Sequence, residues 1–320
     1  MNMTFDGASP ADIRPDPLPP AALRSGDGPS LPARILVAIA TTGRPEVLSP
    51  TLAAVAGQSR PPDRILVCVA GSTDLRLDPA IAGLGLLAAP KGLTRQRNAI
   101  LDRVRPGEIV LFLDDDFLPA PDYLERLEAG FLAHPEVVMM TGRVLADGIC
   151  GPGLTHAQAA RLVAEAGPAP PAQLTEVHNG YGCNMAFRAA PVLGGLRFDE
   201  RLPLYGWLED VDFSRRLAPF GRIVRNEALR GVHLGVKSGR TSGLRLGYSQ
   251  VANPLYLIGK RSMAPRRALA MLARNLVANG LKSLRPEPWT DRRGRLRGNL
   301  IALGDLVRGR MRPERALDLP

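Results

Sequence analysis

The most constraining feature of this chain is an apolar run that ends in three consecutive acidic residues. Residues 109–113 read Ile-Val-Leu-Phe-Leu, and Asp114, Asp115 and Asp116 follow without a break. A short, continuous apolar run is typical of a strand buried on both faces of an open α/β sheet. Such sheets bind ligands at the carboxyl ends of their strands. The sequence therefore predicts a buried strand whose end presents carboxylates at a binding edge.

The three carboxylates repel one another and need a compensating cation. Because alternate residues of an extended segment point the same way, Asp114 and Asp116 are expected to hold one divalent cation, while Asp115 points elsewhere. Oxygen ligands favour Mg²⁺ or Mn²⁺, and a cation held there would most naturally bind a diphosphate. The alternative is a polar turn that closes the strand, although adjacent acids beside a buried strand carry a desolvation cost that favours the metal site.

Apolar runs alternate with helical patterns through the first half of the chain. This alternation predicts βαβ units and a parallel sheet. Residues 150–175 are rich in Gly, Ala and Pro and are expected to form a flexible excursion over the site. The strands are predicted at residues 34–40, 64–69, 84–89, 109–113, 137–143, 222–226 and 231–233, and helices follow the first, third and fourth of these.

Composition divides the chain into three segments. Residues 1–33 contain seven prolines and no apolar stretch, which predicts a disordered leader rather than a signal peptide. Residues 34–253 are expected to form the α/β domain, and residues 254–320 a basic helical tail. The three cysteines have neither disulfide nor zinc spacing, and no apolar run reaches the roughly 18–20 residues of a membrane span. We therefore expect a cytoplasmic protein, peripheral at most on the inner face of the cell membrane.

The basic charge is confined to the predicted tail. The formal net charge is +10, and residues 254–320 hold fifteen basic and five acidic residues, so residues 1–253 are neutral overall. Residues 265–285 place Leu269, Leu272, Ala273 and Leu276 on one helical face, with basic residues largely around the rest. Basic amphipathic helices bind anionic membrane surfaces. The alternative is that these helices pack on the α/β domain and expose a solvated basic face.

A second acidic cluster lies in the run WLEDVDF, which covers residues 207–213. Glu209 and Asp210 lie near a predicted helix start, where the helix dipole favours carboxylates. They are therefore either helix caps or catalytic groups, since a carboxylate within hydrogen-bond reach can remove a proton from a hydroxyl.

Two further groups are candidates for the same site. His233 is one of four histidines and could be a third metal ligand, because imidazole binds Mn²⁺; the alternative is an ordinary core or surface histidine. Arg95 and Arg97 lie at the start of a predicted helix. They could face a phosphate or a nucleotide, as helix N-termini commonly do, or simply solvate the helix.

Taken in order, these motifs resemble the family 2 glycosyltransferases of the GT-A fold. The resemblance covers roughly residues 34–240 and implies a Rossmann-like mixed sheet flanked by helices, here with a basic C-terminal helical extension. It also implies inverting transfer of a sugar from a nucleotide-diphosphate donor, with Mn²⁺ or Mg²⁺ as cofactor. The motifs that carry it are RILVAIATTGR, VAGSTD, GLTRQRNAIL, FLDDDF, NGYGCNMAFR, WLEDVDF and the later His233.

The resemblance assigns a role to each matching residue. Asp114 and Asp116 match the family's DxD-type metal motif, Asp115 would lie near the ribose or donor sugar, and His233 would complete the metal site. Asp210 matches the base of the family's ED motif, and Glu209 would hold an acceptor hydroxyl. The remaining candidates are Thr41, Arg44, Asp74, Arg95 and Arg97 on the donor side, and Trp207 and Asn184 on the acceptor side, where Trp207 could stack on a sugar face.

One departure from the family pattern concerns the residues that recognise the nucleobase. Val69-Ala70 stand where members often have an aspartate pair that reads the base, so Asp74 or the Thr41–Arg44 loop is expected to substitute. The QxxRW pattern of processive synthases is absent from the sequence, which favours transfer of one or a few sugars.

The sequence thus predicts a metal-dependent glycosyltransferase that acts on a glycan or glycolipid acceptor in cell-surface polysaccharide or glycolipid assembly. One alternative is a sugar nucleotidyltransferase, although residues 41–44 do not supply its Gly-rich, Lys-containing phosphate loop. The other is a non-catalytic binding module of the same fold. Nucleic acid is not expected as a partner, because the basic tail contains no recognisable binding motif.

Overall fold

The computed structural model describes residues 34–75, 81, 83–239 and 241–320. The leader predicted for residues 1–33 lies outside the described residues. The described chain forms an α/β layer structure around one mixed sheet, followed by a group of C-terminal helices.

The strands of this sheet are parallel on one side and mixed on the other. They are β1 (Arg34–Thr41), β2 (Arg64–Val69), β3 (Leu84–Ala88), β4 (Glu108–Asp114), β5 (Phe117–Pro119), β6 (Val137–Asp147), β7 (Leu174–Glu176), β8 (Asn184–Arg188) and β9 (Arg222–His233). Their spatial order is β3-β2-β1-β4-β8-β6-β9-β5, and β7 also pairs with β9. The strands β3, β2, β1 and β4 are parallel, while β8 is antiparallel to both β4 and β6.

The helices flank the sheet or follow it. They are α1 (Pro45–Ala56), α2 (Leu93–Leu101), α3 (Tyr123–Ala133), α4 (His156–Glu165), α5 (Ala190–Leu193), α6 (Glu209–Leu217), α7 (Gly243–Gly259), α8 (Pro265–Lys282) and α9 (Arg292–Val307). This arrangement confirms the predicted α/β fold with a mixed sheet flanked by helices.

Strand β1 shows how the apolar runs build two cores. Its side chains alternate between the two faces of the sheet, as strand geometry requires. Ile35, Val37 and Ile39 pack with apolar residues of α1 and α3, whereas Leu36 and Ala38 pack with residues of α2 and α6. Because both faces are covered, residues 35–40 are all apolar, and the polar Thr41 follows them at the carboxyl end of the strand.

Three segments differ from the sequence-based expectations. The excursion expected at residues 150–175 contains α4, which begins at a capping box formed by Thr155 and Gln158. The two short strands expected at residues 222–226 and 231–233 are one continuous strand, β9, which has register shifts in its pairing with β6.

The predicted division between residues 253 and 254 falls inside α7, so the helical region begins at Gly243. Helices α7 and α9 cross closely at Gly247 and Gly298, where a Cβ atom on either residue would collide with the backbone of the other helix. On α8, Leu272 and Leu276 are half-buried, but Leu269 and Ala273 are exposed, so the predicted apolar face is only partly covered. Among the described residues, no helix combines the length and apolar character needed to cross a bilayer.

Candidate active site

The carboxyl ends of the parallel strands bring the polar segments of the sequence to one edge of the sheet. Strand β1 ends at Thr41 and β4 at Asp114, and the two strands pair in parallel so that Ala40 lies beside Asp114. The antiparallel pairing of β5 with β9 places Phe117 opposite His233. The acidic triplet therefore lies between the end of β1 and the end of β9.

Asp114, Asp116 and His233 form a compact group of potential metal ligands. One ligand atom from each residue lies within 4.8 Å of the others. The Nε2 atom of His233 is 3.4 Å from Asp116 Oδ1 and 3.9 Å from Asp114 Oδ2. Two carboxylate oxygens and one imidazole nitrogen, held together in a largely buried place, fit Mn²⁺ or Mg²⁺.

The second nitrogen of His233 is held by an acid that the sequence did not single out. Its Nδ1 atom is 2.9 Å from Asp147 Oδ1, and the hydroxyl of Tyr181 donates to the other oxygen of Asp147 at 2.7 Å. Burial by itself lowers the pKa of His233, but the hydrogen bonds to Asp116 and Asp147 raise that pKa to about 10. Asp147 thus orients the ring so that Nε2 faces the aspartates, as outer acids do for metal-bound histidines.

Asp115 faces away from this group and holds the loop after β1. Its carboxylate, 1% exposed, accepts a hydrogen bond from Thr41 Oγ1 at 2.6 Å and pairs with Arg44. Burial raises the pKa of Asp115 to about 7 against the effect of Arg44. The Arg44 guanidinium also lies 3.7 Å from Asp116, so it borders the metal-ligand group.

Arg97 joins the metal-ligand group to the second acidic cluster. Its guanidinium donates to Glu209 at 2.6 Å, to Asp114 at 3.2 Å and to the carbonyl of Gly182 at 2.8 Å. The residue is 1% exposed. A buried guanidinium between two carboxylates compensates their charge and fixes their separation.

Glu209 and Asp210 begin α6 beside this guanidinium. Burial raises the pKa of Glu209 to about 8, although Arg97 opposes the shift, and burial also raises the pKa of Asp210. Asp210 accepts hydrogen bonds from the N–H groups of Gly182 at 3.1 Å and Val211 at 2.8 Å. A Cβ atom on Gly182 would lie 3.1 Å from Glu209, so glycine permits this close approach.

Comparison with known proteins agrees with this geometry. Residues 36–192 match the sequence profile of glycosyl transferase family 2. The chain carries a family 2 glycosyltransferase domain. No curated protein sequence matches the chain.

Solved glycosyltransferase structures share the fold of this domain. Residues 1–349 of S. aureus TarS, in complex with UDP-GlcNAc, give a TM-score of 0.55 at 17% identity over 88% of this chain and 82% of that chain. The mannosyltransferase PcManGT from Pyrobaculum calidifontis, in complex with GDP-Man and Mn²⁺, gives a TM-score of 0.51 at 17% identity over 93% of this chain and 91% of that chain. At this identity the likeness establishes the fold alone.

Three of the predicted site residues of this glycosyltransferase lie in positions that do not support their predicted roles. Asn184 is fully buried and is hydrogen bonded to Thr141 and Gly142 within the sheet, so it is not placed to contact an acceptor. The carboxylate of Asp74 accepts three backbone N–H bonds, which tie the loops after β1 and β2 together. Arg95 is exposed and lies 3.8 Å from Glu200.

Trp207, which the sequence placed on the acceptor side, lies directly before α6 and its two acids. Trp207 is partly buried beside Glu209, and its carbonyl accepts a hydrogen bond from Asn253 of α7 at 2.7 Å. Leu208, between Trp207 and the acids, has a positive φ of 73°, which is strained for a branched side chain. The strained turn and the Asn253 bond together fix where α6 begins.

Sequence reasoning missed the contacts that Asp147 makes with His233 and that Gly182 makes with Asp210. Asp147 lies at the end of β6, beyond the predicted end of that strand at residue 143. An acid at the end of a strand was a usable signal, but it required the correct strand length. Gly182 lies in the run NGYGCNM, where the signal was a glycine inside an otherwise ordered polar motif.

Proposed function

We propose that the protein is an inverting, metal-dependent glycosyltransferase that moves a sugar from a nucleoside-diphosphate donor to a glycan or glycolipid acceptor. One observation carries the proposal: Arg97 joins the Asp114–Asp116–His233 group to the Glu209–Asp210 pair through contacts of 3.2 and 2.6 Å. In this assignment, the group that would hold a leaving diphosphate and the carboxylate that would act as base are neighbours. An inverting displacement requires the base and the leaving diphosphate to lie on opposite sides of the anomeric carbon, which would bind between these two groups.

The metal-ligand group supports the donor half of the reaction. Asp114, Asp116 and His233 would hold Mn²⁺ or Mg²⁺, which when bound neutralises charge on a leaving diphosphate. Thr41, Arg44 and Asp115 line the neighbouring loop, where Arg44 offers a cation to the donor. The solved relatives contain UDP-GlcNAc in one case and GDP-Man with Mn²⁺ in the other, which supports a nucleotide sugar as donor without selecting the base.

Asp210 and its neighbours support the acceptor half. We assign Asp210 as the base that takes the proton of the acceptor hydroxyl, because its raised pKa makes the ionised carboxylate a stronger proton acceptor. Glu209, held by Arg97, would orient that hydroxyl. Trp207 offers an aromatic surface for the acceptor sugar. We place this reaction in cell-surface polysaccharide or glycolipid assembly.

A thermal-shift screen with UDP, GDP, dTDP and CDP, each with Mn²⁺ or with chelator, tests the donor half. A nucleotide at 100 times its dissociation constant should stabilise the fold by about 2.7 kcal/mol. We expect one nucleotide to raise the midpoint in Mn²⁺ and to lose this effect with chelator.

Asp116→Asn is the test variant for this screen, because the amide can still accept the Val236 N–H bond while it removes a charged metal ligand. The matched control is Asp102→Asn, which neutralises an exposed aspartate paired with Arg197. Asp116→Asn should abolish the metal-dependent shift, and Asp102→Asn should retain it. A shift that survives in Asp116→Asn, or the absence of any shift in the native protein, would contradict the proposed donor site.

We also propose that the C-terminal end of α8, with the residues that directly follow it, contacts an anionic membrane surface. Leu281 and Leu284 are 68% and 78% exposed, and the basic residues Lys282 and Arg285 adjoin them. Exposed leucines beside basic residues are typical of helices that lie in the membrane interface. Each surface-apposed basic residue contributes about 1 kcal/mol to such binding. This contact would hold the enzyme at the cytoplasmic face of the membrane, near a lipid-linked acceptor.

Sedimentation with phosphatidylglycerol vesicles tests the membrane contact. The double variant Leu281→Glu, Leu284→Glu should lose most vesicle binding, because it removes apolar contact and adds repulsion. The control is Leu132→Glu, which makes the same change at a leucine of α3 that is 46% exposed and lies outside the proposed membrane contact. This variant should bind vesicles as the native protein does. Equal sedimentation of the native protein and the double variant would overturn the membrane contact.

A further inference from the structure

The first turns of α8 belong to the surroundings of the catalytic acids. Ala268 and Met271 of α8 are buried in one apolar cluster with Leu208 and Val211, the two residues that flank Glu209 and Asp210. The basic C-terminal region therefore does not begin as a separate tail. Because α8 packs against Leu208 and Val211, the basic residues at its start lie near the acceptor side of the site.

Two arginines from different helices meet at one turn beside Asp210. Arg215 of α6 donates to the carbonyl of His178 at 3.1 Å, and Arg267 of α8 donates to the side chain of Asn179 at 3.4 Å. Both arginines are half-buried. The same segment runs on from Asn179 to Gly182, whose N–H donates to Asp210 at 3.1 Å, so this turn leads directly to a contact of the proposed base.

The cluster contains buried nitrogen atoms that the protein does not pair. Among the described residues, the Nε atom of Arg215 and the Nε2 atom of His178 are buried without a hydrogen-bond partner. Buried polar groups are normally paired, so these two nitrogens are open to a partner from outside the chain, either water or a ligand.

The charge balance of the cluster is positive. Burial lowers the pKa of Arg267, and the neighbouring charges of Arg215 and Arg274 lower it further, while Asp210 opposes them. Burial, with the charges of Arg267 and Arg215, lowers the pKa of His178 to about 3, so its imidazole is neutral and retains one N–H donor. Half-buried guanidinium groups with such neighbours are stabilised by an anion.

We propose that His178, Arg215 and Arg267 bind a phosphate group of the acceptor, next to the hydroxyl that Asp210 deprotonates. This inference rests on the proposed function, because it takes Asp210 as the acceptor-side base. Two guanidinium groups and an imidazole N–H match the several oxygens of a phosphate, and Arg binds phosphate through paired hydrogen bonds. The acceptor would then be a phosphorylated glycan or glycolipid rather than a neutral sugar.

Calorimetric titration of the full-length protein with inorganic phosphate and with glucose 6-phosphate tests this site. The nucleotide found by the screen and Mg²⁺ are present at saturation, so that the donor site is filled. We expect both probes to bind and their dissociation constants to rise at least tenfold in Arg215→Gln and in Arg267→Gln. Arg266→Gln, which removes an exposed charge from the adjacent position of α8, is the matched control and should bind as the native protein does.

Two further measurements separate the possible results. Vesicles of phosphatidylglycerol distinguish an acceptor phosphate from a lipid headgroup: we expect Arg215→Gln to leave vesicle binding unchanged. The proposal would be overturned if the native protein did not bind phosphate, or if Arg215→Gln, Arg267→Gln and Arg266→Gln bound phosphate with equal affinity. It would also be overturned if Arg215→Gln lost vesicle binding but kept the phosphate affinity of the native protein. If no nucleotide bound while phosphate affinity still depended on Arg215 and Arg267, the proposed donor site would fail and the phosphate site would stand.

Discussion

Replacing Asp210 with asparagine is expected to lower kcat by about two to four orders of magnitude while nucleotide binding stays intact. The variant keeps the shape of the side chain but removes the group that accepts the proton. Asp210 touches Gly182 and its own helix start, whereas the metal-ligand group contacts Arg97, so nucleotide binding should not depend on Asp210.

The pH dependence of kcat offers a second readout of the same residue. Since burial raises the pKa of Asp210, the base becomes protonated at a higher pH than an ordinary aspartate would. The rate of the native enzyme should therefore fall as the pH is lowered through a value above the usual aspartate range. The residual rate of Asp210→Asn should lack this acidic limb.

Both effects are measured as the release of nucleotide from nucleotide sugars that carry the base identified by the screen, with a panel of acceptors. The Asp102→Asn variant controls for the loss of an aspartate, because that carboxylate is 63% exposed. Unchanged thermal shifts with nucleotide and Mn²⁺ would show that Asp210→Asn is folded. A rate within a few-fold of the native enzyme would refute the assignment of Asp210 as the base.

Replacing Arg97 with methionine is expected to lower the free energy of unfolding by about 3–5 kcal/mol, because it leaves buried carboxylates without their counter-charge. Arg97 contacts both Glu209 and Asp114, and it also donates to the carbonyl of Gly182. Methionine fills similar volume, so the loss reports charge and hydrogen bonding rather than a cavity. Urea unfolding of the native protein and the variant, without added metal, measures this change in the free energy of unfolding.

The matched control is Arg95→Met, two positions earlier on the same helix. Arg95 is exposed and lies 3.8 Å from Glu200, so this change should cost less than about 1 kcal/mol. The loss in Arg97→Met should be smaller at pH 6 than at pH 9. Burial raises the pKa values of Glu209 and Asp114, and without Arg97 they rise further, so lower pH lets both carboxyls escape charge by protonation. Equal losses in the two variants would contradict the bridging role of Arg97.

The apolar strands and the acidic triplet could be predicted from local pattern. Strand β4 matches its expected range to within one residue at each end, because a run buried on both faces has a simple signature. The alternation of side chains along an extended segment correctly separated Asp114 and Asp116 from Asp115. The contact between the triplet and His233 was expected only through the family resemblance, since more than a hundred residues separate them in the chain.

The individual roles of the arginines could not be predicted in this way. Arg95 and Arg97 have the same charge and lie in the same short motif, yet one is exposed and the other is buried between two acids. The helical repeat predicts that Arg95 and Arg97 point in different directions around α2. It does not predict which of them faces the sheet, because the buried face of this helix carries polar residues. In α2 that face carries Thr94, Gln96, Arg97 and Asn98, so apolar periodicity was a poor guide.

The sequence by itself determined the layer of strands and helices, the acidic groups at the strand ends and the location of the basic charge, because each depends on residues close together in the chain. Only the tertiary structure decided that Asp147 orients His233, that Arg97 joins the two acidic groups, and that α8 brings Arg267 to Asn179. These contacts depend on the register of β6 against β9 and on helix packing across distant segments. Their strength comes from the exclusion of water, which local sequence pattern does not encode.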